Sequence, residues 1–253
     1  MRNTVLKTCR QKLGRQKLGR QKLGPPAMNE SRWLGDKAMR LGRLLILGIA
    51  LTLALPLALP GAARAAAEED CYHEDVETRI RGCTDLLNRG GLSAEARSSA
   101  FSTRALGYSL KRDYGRAVED YNRSLALTPN YATALNNRAW AYFRWGKAAQ
   151  GQADVERALE LSADMDAAYD TRAHIRQALG SPADAFVDYL MAMDFGGERM
   201  VLMYQCGLKD HGLYNGPRDG IQNEALKVAL QLCTQDAKCD PLPSDEFCRP
   251  ASS

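Results

Sequence analysis

The amino-acid sequence predicts an all-α fold. It should be a short helical solenoid of three repeats, with a capping helix before it and a small disulfide-stapled helical module after it. Three observations carry this expectation. The middle of the chain repeats itself every 34 residues. The segment before the repeats has apolar residues at helical spacing, and six of the seven cysteines flank the repeats rather than interrupt them.

The chain has 253 residues, 45% apolar and 25% charged, with a formal net charge of +4. That average joins two unlike parts. Through Ala65 there are 13 Lys and Arg against 2 Asp and Glu, leaving 21 basic and 28 acidic residues beyond it. The body therefore carries a charge of about −7, which excludes a nucleic-acid binder because a polyanion needs a cationic face. A multi-spanning membrane protein is excluded too, because the chain has a single long apolar run.

That run, Leu44 to Leu55, follows Arg40 and Arg43 and is broken by Pro56, Pro60 and Gly61. Ala63-Arg64-Ala65 then offers small residues where a signal peptidase reads. A charged region, a short apolar region and an Ala-x-Ala site make a secretory signal peptide over 39–65, cleaved after Ala65 or Ala67. The rival is an uncleaved anchor, which needs ~20 apolar residues to span a bilayer. Upstream, Arg10-Gln-Lys-Leu-Gly14 recurs at 15–19 and 20–24, so 1–38 reads as an extension from an early start site or as a basic tail. Export to a periplasm is the expected localisation, with full secretion as the alternative and no membrane span after cleavage.

Removing the leader discards Cys9 and leaves Cys71, Cys83, Cys206, Cys233, Cys239 and Cys248. An even count in an exported chain reads as disulfides. Cys71–Cys83 is the natural local pair, and the last four allow three pairings. A metal site is not expected, because there is no Cys-x-x-Cys and His73, His174 and His211 are scattered. No cofactor is expected either.

The segment 66–97 holds one amphipathic helix, Asp75–Asn88, with Val76, Ile80, Cys83 and Leu87 on one face and Arg89-Gly-Gly91 at its end. Arg104-Ala-Leu-Gly-Tyr108 then recurs as Arg138-Ala-Trp-Ala-Tyr142 and Arg172-Ala-His-Ile-Arg176. Ala117…Asp120-Tyr121…Ser124-Leu125 recurs as Gly151…Asp154-Val155…Ala158-Leu159 and Ala185…Asp188-Tyr189…Ala192-Met193. Pro129, Gly146 and Gly180-Ser-Pro182 fall at the turns. This pattern resembles the tetratricopeptide repeat family over 98–197, as units 98–131, 132–165 and 166–197. Departures are Gly151 where Ala is usual and Ala163 in place of the repeat-ending Pro. Small residues let the two helices of a unit cross closely, and larger ones fill the space to the next unit.

In that family the first helix of each unit lines a concave groove that holds a protein or peptide. By position, the resemblance implies Asn136, Trp140, Phe143 and Arg144 from the second unit, with Asp170, His174 and Gln177 from the third. Ser102, Leu106 and Ser109 come from the first. Relatives that hold a C-terminal carboxylate use Lys and Asn on the first helix; here those positions are Ser102 and Leu106, so that clamp is absent. Trp140 and Phe143 share a helix face. They either receive a peptide's apolar side chains or touch only neighbouring helices.

Beyond Gly196-Gly197 the pattern changes. Tyr204-Gln205-x-x-Leu208, Gly212-Leu-Tyr214-x-Gly216 and Asp219-Gly220, followed by Ala229-Leu230, resemble a peptidoglycan-binding-like helical module over 201–233, with a cysteine-rich tail to residue 253. Here Asn223 stands where Gly is usual and Leu226 where Thr would begin the last helix. The resemblance implies either a solenoid cap or a glycan site, for which Tyr214, Asn215 and Asp219 are the candidates. Catalytic fingerprints are missing, including Gly-x-Ser-x-Gly, His-Glu-x-x-His and a phosphate loop. Asp120, Asp154 and Asp188 recur at one repeat position, which marks them as architecture, solvated or pairing helices. The sequence therefore reads as a non-enzymatic interaction scaffold, the alternative being a peptidoglycan-binding protein.

Overall fold

A computed structural model describes residues 60–243. The extension 1–38, the leader through residue 59, Cys248 and the rest of 244–253 lie outside the described residues. Within them the chain forms nine α-helices: α1 (Pro60–Cys71), α2 (Val76–Arg89), α3 (Ala94–Leu110), α4 (Tyr114–Leu127), α5 (Ala132–Arg144), α6 (Ala148–Leu161), α7 (Asp166–Ala178), α8 (Pro182–Asp210) and α9 (Glu224–Thr234). The pairs α3–α4, α5–α6 and α7 with the first part of α8 are the three repeats of a tetratricopeptide-like solenoid.

Short polar side chains start four of these helices by accepting orphan backbone N–H groups. Asp75 takes Thr78 N at 2.8 Å, Ser93 takes Ala96 N at 3.1 Å, Asp113 takes Arg116 N at 3.2 Å and Asn223 takes Leu226 N at 2.8 Å. The last of these shows that Asn223, which departs from the expected Gly, itself begins α9. Between the two helices of a repeat the chain must turn through positive φ. Gly146 (φ 75°) and Gly180 (φ 81°) supply it in the second and third repeats, while Arg112 (φ 60°) holds the same register position in the first.

Packing follows the 34-residue register. Ala105, Ala139 and Ala173 on the first helices are fully buried, as are Ala117 and Ala185 on the second helices. Tyr121, Val155 and Tyr189 sit one turn further along the second helices and fill the space between units. Gly151, read from sequence as a loosening departure, is buried in contact with α5. A Cβ there would lie 2.8 Å from Ala139 O and 3.0 Å from its Cα. This crossing is tighter than those of the neighbouring repeats, and only glycine fits it.

Each repeat also carries one Arg–Asp clamp between its two helices. Arg104 reaches Asp120, Arg138 reaches Asp154 and Arg172 reaches Asp188, each through two nitrogens at 2.6–3.0 Å. The recurring aspartates therefore pair helices; they are not solvated.

At the front, α1 packs on α2, and Cys71–Cys83 joins them with a Cα–Cα distance of 4.3 Å. Ala67, Leu86, Leu87 and Ala100 form the core of this cap. Cleavage after Ala65 would leave the buried Ala67 and Cys71 in place. At the back, α8 is two helices in tandem, joined at Gly197 (φ 58°, ψ −146°). This break falls where the repeat pattern stops in the sequence. Beyond it Met200, Val201, Tyr204 and Leu208 join Leu226, Leu230 and Tyr214 in one core with Tyr189 and Met193 of the third repeat. The C-terminal module is thus a continuation of the solenoid core. Among the described residues no helix is long and apolar enough to cross a membrane.

Candidate functional site

The inner face is built from α3, α5 and α7, and the chain's own tail crosses it. After α9, a second disulfide, Cys233–Cys239, closes a tight loop. Cys206 is disulfide-bonded as well. The loop delivers Asp240 to α7 and α5, and Pro243 reaches the pocket bordered by Leu106, Leu110 and Trp140.

His174 is the centre of this contact. It is 3% exposed, and Trp140, Phe143 and Tyr189 surround its ring with centroids 5.1, 5.3 and 5.2 Å away. Its Nδ1 donates to Asp170 O at 2.8 Å and its Nε2 donates to Asp240 Oδ1 at 3.0 Å. Both ring nitrogens face oxygen acceptors, the pattern of an imidazolium. Burial opposes that charge, but the Asp170 carboxylate and the bond and charge of Asp240 outweigh it and hold the His174 pKa above 6.5. Asp240 is correspondingly held below its ordinary value. Burial works against its ionisation, yet the His174 bond and charge, the Leu242 amide and Arg144 prevail. Arg144 lies 3.5 Å from Asp240 Oδ2 and 5.5 Å over the Trp140 ring. Asp170 is pushed up, chiefly by desolvation, against the pull of His174 and of Tyr204, whose hydroxyl donates to Asp170 Oδ1 at 2.6 Å.

Gln177 holds the loop's backbone. Its Nε2 donates to Cys233 O at 3.2 Å, Asp236 O at 2.7 Å and Cys239 O at 2.8 Å, while its Oε1 accepts from Tyr189 at 2.9 Å. His211 Nε2 donates to Asp240 O at 2.9 Å. Gly207 admits the tail, since a Cβ there would lie 2.1 Å from Pro241 O.

The seven groove positions taken from the repeat register divide as follows. Phe143, Arg144, His174 and Gln177 border one open pocket of about 310 Å³ with Lys238, Cys239 and Asp240. Trp140 and Arg144 border a second of about 300 Å³ with Leu106, Leu110, Tyr114 and Pro243. Asp170 lies beneath His174. Asn136 is buried, and its Oδ1 has no hydrogen-bond partner among the described residues.

Of the three glycan candidates, Asn215 and Asp219 are exposed and Tyr214 is buried. Tyr214 is 1% exposed; its hydroxyl donates to Pro217 O and accepts from Asn223. Asp219 accepts from Gln205 Nε2 and the Ile221 amide, which fixes a turn, and Asn215 is exposed. The tail residues Asp240 and Pro243, with His211, are site residues that sequence reasoning missed. The nearest signal was the cysteine spacing, which ties 233–239 into a loop without saying where it points.

No protein-family model matches the chain. RNA polymerase II-associated protein 3 of Xenopus laevis is 27% identical over 125 residues, 49% of this chain and 19% of the relative. Its counterpart in Rattus norvegicus is 27% identical over 128 residues, 50% of this chain and again 19% of the relative. The chain thus spans about a fifth of the length of these curated relatives. A crystal structure of MamA superposes with a TM-score of 0.46 at 14% identity, covering 54% of this chain and 78% of that one.

Proposed function

We propose that this chain is a non-enzymatic, exported scaffold that holds a peptide or protein segment along the inner faces of α3, α5 and α7. The observation that supports this most is the arrangement of Trp140, Phe143 and Arg144 on one face of α5. Arg144 borders both open pockets, one toward α7 and one toward α3. An aromatic pair beside a guanidinium offers apolar contact area and a charged anchor within one helical turn, and a preformed groove needs little reorganisation to bind. Export is supported by the leader pattern and by the bonded state of Cys71, Cys83, Cys206, Cys233 and Cys239, since such bonds persist in oxidising compartments.

Pull-down from a periplasmic extract with Trp140→Ala/Phe143→Ala tests the groove. Loss of the partner with a melting temperature within a few degrees of the parent supports the reading. A collapse in stability would make both residues core and sink it. Intact mass of the mature protein, before and after reduction, tests export: a chain starting at Ala66 or Glu68 without free thiols is expected.

A further inference from the structure

The chain's own tail is bound in the groove as a peptide would be. Asp240 presents a side-chain carboxylate to His174 and Arg144, and its carbonyl accepts from His211. Gln177 takes three main-chain carbonyls of the preceding loop. Pro241 lies against Gly207, where no side chain intervenes, and Pro243 borders the pocket lined by Leu106, Leu110 and Trp140. The segment Asp240-Pro-Leu-Pro243 therefore supplies one anion that meets the inner helices α5 and α7, and two rigid prolines, one against Gly207 of α8 and one beside the α3–α5 pocket, while its first carbonyl is held by His211 at the end of α8.

We propose that the groove recognises an extended acidic peptide of the Asp-Pro-x-Pro type on a partner protein, and that residues 240–243 occupy the same site as a tethered competitor. This rests on the groove-binding reading above and names the chemistry of its ligand. The His174–Arg144 pair selects the carboxylate because the two side chains converge on it, His174 Nε2 at Oδ1 and the guanidinium at Oδ2, beside the Trp140 and Phe143 rings. Prolines suit the rest of the path because their backbone is pre-extended and loses little freedom on binding. A tethered segment acts at an effective concentration in the millimolar range, so an external peptide must outcompete it or find it released.

The test uses the full mature chain, oxidised, and a fluorescein-labelled acetyl-Asp-Pro-Leu-Pro amide followed by anisotropy. Asp240→Lys places a cation beside Arg144 and His174 and should expel the tail. The probe should then bind at least tenfold more tightly than it binds the parent. Adding Arg144→Ala should abolish that gain, and a probe with Asn for Asp should not show it. Should Asp240→Lys misfold by circular dichroism, Cys233→Ser/Cys239→Ser opens the loop instead and carries the same expectation. Equal affinity for parent and released variants would overturn the proposal, as would binding indifferent to the probe's carboxylate. Concentration-dependent dimerisation that Asp240→Lys abolishes would overturn it in favour of the tail of a second copy. A partner that depends on Trp140 and Phe143, beside a probe that never binds, would refute the ligand chemistry and leave the groove reading standing.

Discussion

Arg172 and Asp188 lie sixteen residues apart and form a two-point ion pair, Nε to Oδ2 at 2.9 Å and Nη2 to Oδ1 at 2.7 Å, that joins the two helices of the third repeat. Asp188 is 1% exposed and also accepts from Arg176 at 2.8 Å. Removing the carboxylate strands two guanidinium groups, one of them largely buried. Breaking a buried pair on one side costs about 3 kcal/mol or more. Asp188→Ala should therefore lower the unfolding free energy in urea by about that amount, whereas Glu224→Ala, whose partner Lys227 is solvated, should leave it nearly unchanged. Similar losses for the two would reduce the clamp to a surface ion pair.

The contact of His174 with Asp240 makes tail docking depend on pH from both sides. His174 is raised above 6.5, so its contribution is fully present below that value and is lost as pH climbs through the raised value. Asp240 is lowered below 3.8, so its contribution is present above 3.8 and is lost as pH falls through the lowered value. Asp170, raised by burial, contributes stability that is lost as pH rises from 3.8 through its raised value. Tyr189 and Tyr204 beside the ring are pushed well above their ordinary value, chiefly by burial, while Arg144 and His211 also face Asp240. Stability should peak in mildly acidic solution and fall toward alkaline pH. Unfolding in urea from about pH 5 to 8 should show that slope in the parent and flatten it in His174→Asn. An unchanged slope in the variant would assign it to other groups.

Arg112 occupies the left-handed turn that Gly146 and Gly180 occupy in the next two repeats. A residue with a Cβ costs roughly 1–2 kcal/mol there relative to its relaxed backbone. Glycine carries an entropy cost of its own in the unfolded chain, so the net gain is smaller. Arg112→Gly should raise stability by about 0.5–1 kcal/mol, read as a rise of a few degrees in melting temperature by calorimetry. The side chain is exposed, so no packing loss offsets this gain. A lower melting temperature would mean that the guanidinium makes up for the strained turn.

What the sequence made legible was what repeats. The 34-residue register fixed the helix pairs, the buried alanines and the recurring aspartates, because each position meets the same neighbours in every unit. Gly151 escaped this logic. Its need comes from one tight crossing with Ala139, which a comparison with the usual residue turns into an apparent defect. The tail escaped it entirely. Asp240 meets His174 across 66 residues, and no local spacing encodes such a pairing. Tyr214 shows the same limit: its position in the turn was readable, but its burial depends on Leu226, Leu230 and the third repeat, which only the folded chain brings together.

Gln205 carries the C-terminal turn. It is fully buried, and its amide reaches four partners: Nε2 donates to Asp219 Oδ1 at 2.9 Å and Ile221 O at 3.1 Å, while Oε1 accepts from Asp219 N and Gly220 N at 3.0 Å. Gly220, at φ 70°, lets the chain present those amides together. Gln205→Ala would leave at least two backbone N–H groups and one carbonyl without their partner, each worth roughly 1–3 kcal/mol when water cannot replace it. Because the turn is partly exposed, water will recover some of this, and a net loss of about 2–3 kcal/mol is expected. The effect should also be local. Hydrogen exchange should quicken at the amides of Asp219 and Gly220 long before it does at Ala139 or Ala105 in the first two repeats. Uniform quickening across the chain would instead mean that the module and the repeats unfold as one unit, with Gln205 holding the fold rather than the turn.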